Sequence, residues 1–327
     1  MTAVAAPVLS VEEAAAFHDH FEQLVGHVGR VVVGKPDVIR LAFVCLLAEG
    51  HLLLEDVPGT GKTTLAKALA SSISGTSSRI QFTPDLLPSD LTGVTVFDQR
   101  TSEFEFHPGP IFASIVLADE INRASPKTQS ALLEVMEEAA VTVDGVTRPV
   151  GAPFMVIGTQ NPIEQAGTYR LPEAQLDRFL MRTGLGHPGT DAALSILGAV
   201  GTRSSRLTLS AMTTPAVILD MTGDASRVHV DPALFRYITA LVEATRAVDD
   251  VALGVSQRGA IALLRTAKVR AASQGRNYVT PDDVKVLVRP VLTHRIAVHA
   301  EAEFNGVSAD DVITAVLAQV PPPRTDT

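Results

Sequence analysis

One segment, LLLEDVPGTGKTT from Leu52 to Thr64, constrains this chain more than any other. Its three leucines predict a short buried strand. Pro58, Gly59 and Gly61 predict a tight turn, because glycine reaches backbone angles that a Cβ forbids. The next residues, TTLAKALA, are good helix formers. In a strand, glycine loop and helix, successive backbone N–H groups and the positive helix N-terminus bind phosphate, so the segment predicts a nucleotide site.

The side chains of this segment suit a nucleoside triphosphate. Lys62 would contact the β- and γ-phosphates, and the Thr63 hydroxyl would ligate Mg²⁺. The full motif expects a glycine where this chain has Asp56, and we expect little loss because the phosphate-facing glycines remain. A surface turn containing Gly-Lys-Thr by chance would lack the flanking strand and helix. The predicted nucleotide contacts of the segment are Asp56, Pro58, Gly59, Thr60, Gly61, Lys62, Thr63 and Thr64.

Composition limits the class of protein. At 327 residues the chain is long enough for about two domains with a substantial core. A net charge of −9 argues against nonspecific binding to nucleic acid, which requires clustered Lys and Arg. A single cysteine, Cys45, excludes an intrachain disulfide and is typical of a core position. With no signal-peptide pattern and no apolar run near ~18–20 residues, we expect a cytoplasmic protein without a membrane span.

Short apolar runs alternate with helical patterns up to residue 186. The predicted strands are 52–54, 79–83, 114–118, 154–158 and 181–185, and a short helix with a charged face is predicted from Leu171 to Phe179. Strands that are apolar on both faces and alternate with helices predict a parallel sheet covered by helices on both sides. Beyond Pro188 the patterns predict only helices, most clearly at 194–200, 232–246, 257–273 and 281–291.

Two β-hairpins interrupt the alternation. Residues 93–97 and 103–106 form one predicted pair of strands, and Asp144-Gly145 joins another, because Asp-Gly supplies the positive φ angles of a two-residue turn. We predict an α/β nucleotide-binding domain over residues 11–188 and an α-helical domain over 189–320. Disordered tails are predicted at 1–10 and 321–327.

Polar residues follow two of the predicted strands. Asp119 would hold Mg²⁺ through its water shell, and Glu120 would orient and activate the attacking water in phosphoryl transfer. A solvated turn is the alternative. Another strand ends before Asn161, and parallel strands bring their carboxyl ends to one edge of a sheet, so Asn161 can reach the same γ-phosphate. Alternatively, Asn161 before Pro162 is an ordinary turn pair.

Together these motifs resemble the MoxR family of AAA+ ATPases. The resemblance covers residues 30–300 and rests on five segments: Leu53–Thr63, ADEINR at 118–123, TQSALLEVMEE at 128–138, GTQNP at 158–162 and EQAGTYRLPEAQLDRF at 164–179. It implies an AAA+ P-loop domain, in which β-hairpins are inserted around a five-stranded parallel sheet flanked by helices, and an all-α lid domain.

The resemblance also implies roles for single residues. Asn161 matches the polar sensor beside the γ-phosphate, and Arg178 matches the arginine finger that reaches the nucleotide of the neighbouring subunit. Arg258 matches the sensor arginine of a lid helix, and Val33 and Gly34 fall where the adenine pocket lies. Without the family, Arg178 would be a salt-bridging surface residue and Arg258 an exposed first-turn arginine.

Beside Arg258 the chain departs from the family. Gln257 and Gly259 stand where the family more often has proline and alanine, which leaves the start of the lid helix open.

The implied activity is Mg²⁺-dependent ATP hydrolysis by a ring, which we expect to be a hexamer with ATP between the α/β domain and the lid. The implied role is chaperone-like: remodelling or maturing a partner protein or complex, including metal or cofactor insertion. The usual partner carries a von Willebrand factor A domain. This chain has no Asp-x-Ser-x-Ser metal site, so that partner would act in trans. The sequence does not identify the client.

Two other classes of function stay open. A nucleic-acid motor related to helicases would share both hairpins, but a pore that grips phosphates should be basic, and residues 93–106 contain only Arg100 against three acidic side chains. An ATP-gated scaffold, in which hydrolysis is a slow timer, would need only nucleotide binding for its output.

Overall fold

The computed structural model describes residues 7–57, 59–161, 169, 171–201 and 209–323. The α-helices of these residues are α1 (Val11–Gly29), α2 (Pro36–Leu47), α3 (Lys62–Ser72), α4 (Pro88–Thr92), α5 (Pro126–Glu138), α6 (Glu173–Leu176), α7 (Thr190–Gly201), α8 (Pro215–Ser226), α9 (Pro232–Arg246), α10 (Gln257–Ser273), α11 (Pro281–Leu292), α12 (Ala300–Phe304) and α13 (Ala309–Gln319). The β-strands are β1 (Leu52–Glu55), β2 (Ser77–Gln81), β3 (Gly93–Asp98), β4 (Glu103–Pro108), β5 (Ile115–Asp119), β6 (Ala140–Val143), β7 (Val146–Pro149), β8 (Met155–Gln160), β9 (Met181–Thr183), β10 (Val251–Leu253) and β11 (Ala297–Val298).

A five-stranded sheet has the order β2-β5-β8-β1-β9. The pairs β2–β5, β5–β8 and β8–β1 are parallel. Every residue of β5 is buried, as are the three leucines of β1 and the first five residues of β8. Such burial on both faces is what the uninterrupted apolar runs predict for a parallel sheet between helices. The loops after β1, β5 and β8 therefore leave adjacent strands at one edge of the sheet.

The chain forms two compact units. One contains β1, β2, β5 and β8 of the sheet and comprises residues 24–171 and 183–219. The other comprises the chain up to Gln23, the segment Pro172–Arg182, and everything from Asp220 onward. These units are discontinuous in sequence, whereas the boundary near residue 188 was predicted for continuous segments and stays a prediction.

The second unit is mainly helical, as predicted. Helices α9 and α10 have the predicted bounds, because Asp231 and Ser256 precede them as N-caps and proline or a good helix former follows. The expectation of helices alone was incomplete, since β10 and β11 pair antiparallel. The described part of the chain contains no helix that is both long and apolar enough to cross a membrane.

Both predicted hairpins are present. β3 pairs with β4 with Phe97 opposite Phe104, and β6 pairs with β7 around Asp144 and Gly145. The turn residues have φ angles of 52° and 75°, as the Asp-Gly turn requires.

Two local predictions need correction. The helix expected from Leu171 to Phe179 shortens to α6, because Pro172 starts it and side-chain bonds from Arg295 turn the backbone after Leu176. Leu9 was assigned to a disordered tail but is 1% exposed, and its backbone bonds to Arg227. Residues 1–6 and 324–327, the rest of the predicted tail ends, lie outside the described residues.

Candidate functional site

The loop between β1 and α3 has the geometry of an anion cradle. Gly59 and Gly61 have φ angles of +86° and +101°, which side chains with a Cβ rarely adopt. Gly61 is the N-cap of α3 and no side chain caps the helix. The first N–H groups of α3 therefore lack a capping side chain, and the helix dipole favours an anion beside them. Pro58 lies outside the described residues.

The Lys62 ammonium is held inside this loop. Lys62 is 9% exposed, and its Nζ donates to the carbonyl oxygens of Asp56 at 3.2 Å and Val57 at 3.3 Å. Among the residues that the structure describes, no acidic side chain pairs with Lys62. A buried cation that contacts only carbonyl dipoles is suited to an anionic ligand. Thr63 and Thr64 follow in the first turn; Thr63 is partly buried and Thr64 is exposed.

The Asp56 carboxylate is bonded to backbone groups of the segment after β9. Its carboxylate is buried and accepts from the backbone N–H groups of Leu185 and Gly186, the latter at 3.0 Å. A carboxylate in the cradle would repel phosphate, and this one instead fixes the segment after β9. The prediction that Asp56 contacts nucleotide therefore rests on its backbone.

The segment after β9 borders the predicted adenine region. Lys35 donates to the His187 carbonyl at 2.7 Å. A Cβ on Gly34, which has a φ of +73°, would lie 2.7 Å from the Ala192 Cβ. Val33 and Gly34 thus lie beside residues 187–192 in a turn that excludes larger side chains at Gly34. The sequence analysis placed the segment after β9 at a domain boundary and did not predict that it contacts Asp56 at the start of the loop between β1 and α3.

Asp119 lies at the end of β5 and is bound by two donors. Its Oδ2 pairs with Arg79 of β2 at 2.7 Å, and its Oδ1 accepts from the Thr159 hydroxyl of β8 at 2.6 Å. The Thr159 oxygen in turn accepts from the Glu120 backbone N–H at 2.9 Å. Thr159 therefore fixes both predicted hydrolytic residues relative to β8.

Glu120 follows in an unusual backbone conformation. Its φ and ψ are 57° and 51°, the left-handed region, which costs a non-glycine residue about 1 kcal/mol. Its Oε2 accepts from the Gln81 side chain at 2.9 Å and from Arg123 at 3.0 Å. Gln81 also accepts from Arg79 at 3.0 Å, so one chain of polar contacts connects Glu120 to Asp119. The strained backbone therefore carries a carboxylate whose direction is fixed by side chains.

Asn161 follows β8 directly. Because β8 lies between β5 and β1 in the sheet, Asn161 emerges between the loop of Lys62 and the Asp119–Glu120 pair. It is partly buried. The structure thus brings the three predicted clusters of the sheet unit to one edge.

Arg178 and Arg258 belong to the helical unit. Arg178 follows α6 and is partly buried, and Arg258 is exposed at the second residue of α10. Gly259 explains the departure from the family pattern. A Cβ there would lie 2.4 Å from Val255 Cγ1 and 3.1 Å from Arg295 Cδ, so only glycine fits without a shift.

The described residues fit a nucleoside triphosphate with Mg²⁺. The positive-φ glycines, the uncapped start of α3 and the buried ammonium of Lys62 suit phosphate groups. The Thr63 hydroxyl and the Asp119 carboxylate are oxygen donors of the kind that Mg²⁺ prefers. Sequence reasoning missed three side chains that contact the predicted residues: Arg79, Gln81 and Thr159. Gln81 and Thr159 had one signal, their polarity at or near the carboxyl ends of β2 and β8, whereas Arg79 lies in the middle of β2 and gave none.

Known proteins share this architecture over nearly the whole chain. The family model described as ATPase family associated with various cellular activities (AAA) matches residues 51–181, and the AAA lid domain model matches residues 243–316. YeaC of Bacillus subtilis is 47% identical over 306 residues, which cover 94% of this chain and 96% of YeaC. Chaperone MoxR1 of Mycobacterium tuberculosis is 38% identical over 328 residues, or 98% of this chain and 86% of MoxR1.

A solved structure agrees. A protein from Cytophaga hutchinsonii, crystallised as a proposed ATPase, superposes with a TM-score of 0.90 at 38% identity, covering 96% of this chain and 98% of that one. The sheet, the phosphate loop and the lid define a P-loop protein of the AAA+ ATPase class. Within that class, the chain belongs to the MoxR family.

Proposed function

We propose that the protein binds ATP with Mg²⁺ and hydrolyses it, and that turnover drives a chaperone-like action on a partner protein. The observation that carries the proposal is the convergence of Lys62, the Asp119–Glu120 pair and Asn161 at one edge of the sheet. Membership of the AAA+ class supports the same reaction.

Each group has a distinct task in this proposal. The α3 N-terminus and Lys62 bind the phosphates, and Thr63 and Asp119 hold the metal. Bound Mg²⁺ would neutralise charge on the phosphates. Glu120 orients and deprotonates the attacking water, with Asn161 beside it. Since Gln81 and Arg123 both donate to the Glu120 carboxylate, they set the direction from which it can accept a proton.

The helical unit supplies two arginines to the proposed cycle. Arg258 contributes to binding of the subunit's own nucleotide, and Arg178 acts on the nucleotide of a neighbour in a ring, which we propose to be a hexamer. An arginine finger contributes roughly 10³–10⁵ in rate where it has been measured. A dilute monomer should therefore hydrolyse ATP slowly.

The cellular role is the less specific part of the proposal. A relative carries the name Chaperone MoxR1, which supports a chaperone-like action. We propose that this action remodels or matures a partner, including insertion of a metal or cofactor. We propose that a von Willebrand factor A domain protein acts in trans as that partner. The acidic residues of the β3–β4 hairpin do not favour a nucleic-acid motor.

The test measures ATPase rate per subunit over a series of protein concentrations, with mass photometry on the same samples. We expect specific activity to rise as a ring appears. Glu120→Gln should retain nucleotide but lose at least ~10²-fold in turnover, as expected for loss of a general base. The matched control is Glu301→Gln, the same change at an exposed helix position, which should behave as wild type. Normal turnover by Glu120→Gln would refute the assigned base.

Arg178→Ala tests the shared site. It should lose most turnover in the assembled ring while nucleotide affinity stays nearly unchanged, because the arginine acts on the neighbour's nucleotide. Loss of affinity in the same subunit would contradict the finger role. Activity independent of concentration in a persistent monomer would contradict the ring.

A further inference from the structure

A cluster of side chains around a buried arginine of the helical unit lies beside the sequence neighbours of Arg178, the predicted finger, and Arg258, the predicted sensor arginine. At its centre is Arg295, whose side chain is 2% exposed. Its Nε donates to Asp177 Oδ1 at 2.7 Å, and its Nη2 donates to the carbonyl oxygen of Phe179 at 2.7 Å. Arg295 thus binds the residues immediately before and after Arg178.

The same carboxylate reaches the helix that carries Arg258. Asp177 Oδ2 accepts from the Ser256 hydroxyl at 3.1 Å. Ser256 is the N-cap of α10, but its side chain makes no capping bond to the helix. Its hydroxyl instead donates to Asp177. Ser256 lies two residues before Arg258 in the chain.

Arg295 also packs against the first turn of α10. The tight approach of its Cδ to Gly259, where an added Cβ would lie 3.1 Å away, brings the guanidinium stem beside the residue that follows Arg258. The start of α10 therefore meets the 177–180 segment directly, through Ser256 and Asp177, and also through Arg295, which approaches Gly259 and binds Asp177 and Phe179. Both contacts involve residues within two positions of Arg178 or Arg258 rather than the arginines themselves.

The charges around this cluster favour one arrangement. Burial and the charge of Arg295 lower the pKa of His294 well below its usual value, so the imidazole beside the guanidinium is neutral. Arg295 also donates to the carbonyl oxygens of Leu180 and Val291. A buried guanidinium with a carboxylate partner and several carbonyl acceptors has little freedom to reorient, because each lost bond leaves a buried polar group unpaired.

We propose that Asp177, Arg295 and Ser256 form a coupling cluster that holds Arg178 and Arg258 in a fixed mutual geometry. This inference rests on the proposed roles of the two arginines. If Arg258 responds to the subunit's own nucleotide, the cluster transmits that response to Arg178, which acts on the neighbour's nucleotide. The members of the cluster are positioning residues, since none of them needs to touch ATP.

The variant that tests this coupling is Ser256→Ala. It removes the bond to Asp177 and no capping bond, and it leaves the Asp177–Arg295 pair intact. We expect a several-fold loss of nucleotide affinity, measured with a fluorescent ATP analogue, and a several-fold loss of turnover in the assembled ring. Ser256→Thr retains the hydroxyl and should restore both. Asp177→Asn would leave a buried guanidinium without its carboxylate, so it threatens the fold and serves only as a second variant.

Double-mutant cycles distinguish positioning from general weakening. On an Arg178→Ala background, Ser256→Ala should cause no further loss of turnover, and on an Arg258→Ala background it should cause no further loss of affinity.

Asp310→Asn, which breaks an exposed ion pair of the same unit, is the control for charge loss in the Asp177→Asn variant and should change neither turnover nor nucleotide affinity.

The outcomes separate the two proposals. If Arg178→Ala and Arg258→Ala themselves leave turnover and affinity unchanged, the proposed function is wrong about these arginines. If both matter but Ser256→Ala has no effect, or its effects add fully to theirs, the coupling cluster is refuted. Unchanged melting temperature and ring mass for Ser256→Ala confirm that the comparison concerns folded, assembled protein.

Discussion

The buried side chain of His51 makes the free energy of unfolding depend on pH, by an amount that follows from the shift in its pKa. It precedes β1 and is 7% exposed. The backbone N–H of Val156 in β8 donates to its Nδ1 at 2.9 Å, so we assign the proton to Nε2, which donates to the Met136 carbonyl of α5 at 2.8 Å. Burial lowers the pKa of His51 from 6.5 to about 4.

A second proton on this ring would lie on Nδ1, where Val156 already donates. In the unfolded chain His51 takes up a proton as the pH falls through 6.5, whereas in the folded chain it stays neutral until the pH reaches about 4. Stability from this group is therefore complete above pH 6.5 and declines between those values. At about 1.4 kcal/mol per pKa unit, the total loss is about 3 kcal/mol, of which about 2 kcal/mol is lost by pH 5.

The assay is urea unfolding of wild type and His51→Gln at several pH values from 7.5 to 4.5. Glutamine offers a donor and an acceptor but does not titrate. We expect the free energy of unfolding of wild type to fall more steeply than that of the variant, with a gap that narrows by about 2 kcal/mol between pH 7 and 5. His107→Gln, an exposed change on β4, should follow wild type. Parallel curves for wild type and His51→Gln would refute the reasoning.

Three further predictions concern the site and its supports. Thr159→Val removes the hydroxyl that joins Asp119 to the Glu120 N–H. ATPase assays should show turnover reduced ~10-fold or more. The free energy of unfolding should fall by ~1–3 kcal/mol, because buried polar groups lose their partner. Asp56→Ala frees the segment after β9, so a nucleotide titration should show weaker ATP binding, with a loss of stability of ~1–3 kcal/mol. Gly259→Ala overpacks the start of α10 and should lower the free energy of unfolding by ~1–3 kcal/mol. Gly223→Ala, with nothing within 4 Å of the new Cβ, should not lower it.

Local sequence patterns predicted the elements because their causes are local. The Asp144-Gly145 turn, the capped starts of α9 and α11, and the phosphate loop depend on backbone angles and neighbours within a few residues. The shared edge for Lys62, Glu120 and Asn161 also followed, because parallel strands separated by helices must align their carboxyl ends. The predicted fold, a parallel sheet with hairpins and a helical lid, is confirmed on these grounds.

Elements whose signals are weak escaped this reasoning. α8 and α13 lie in the region predicted to be helical but were not among its clearest segments, and the short β10–β11 ladder joins strands far apart in sequence. α6 is four residues long because tertiary bonds from Arg295 determine the backbone after it. In each case packing, rather than propensity, decided the conformation.

The sequence by itself determined the class of fold, the phosphate loop and the carboxylates proposed for the site, since hydrophobic patterns, turn chemistry and spacing suffice for those. Only the tertiary structure decided which side chains contact the predicted residues. Arg79 and Thr159 bind Asp119, Gln81 binds Glu120, and Arg295 binds Asp177 beside Arg178. These pairs join residues on different strands or segments. They meet only once strand order and register are fixed, and register depends on the packing of the whole sheet and not on any one segment.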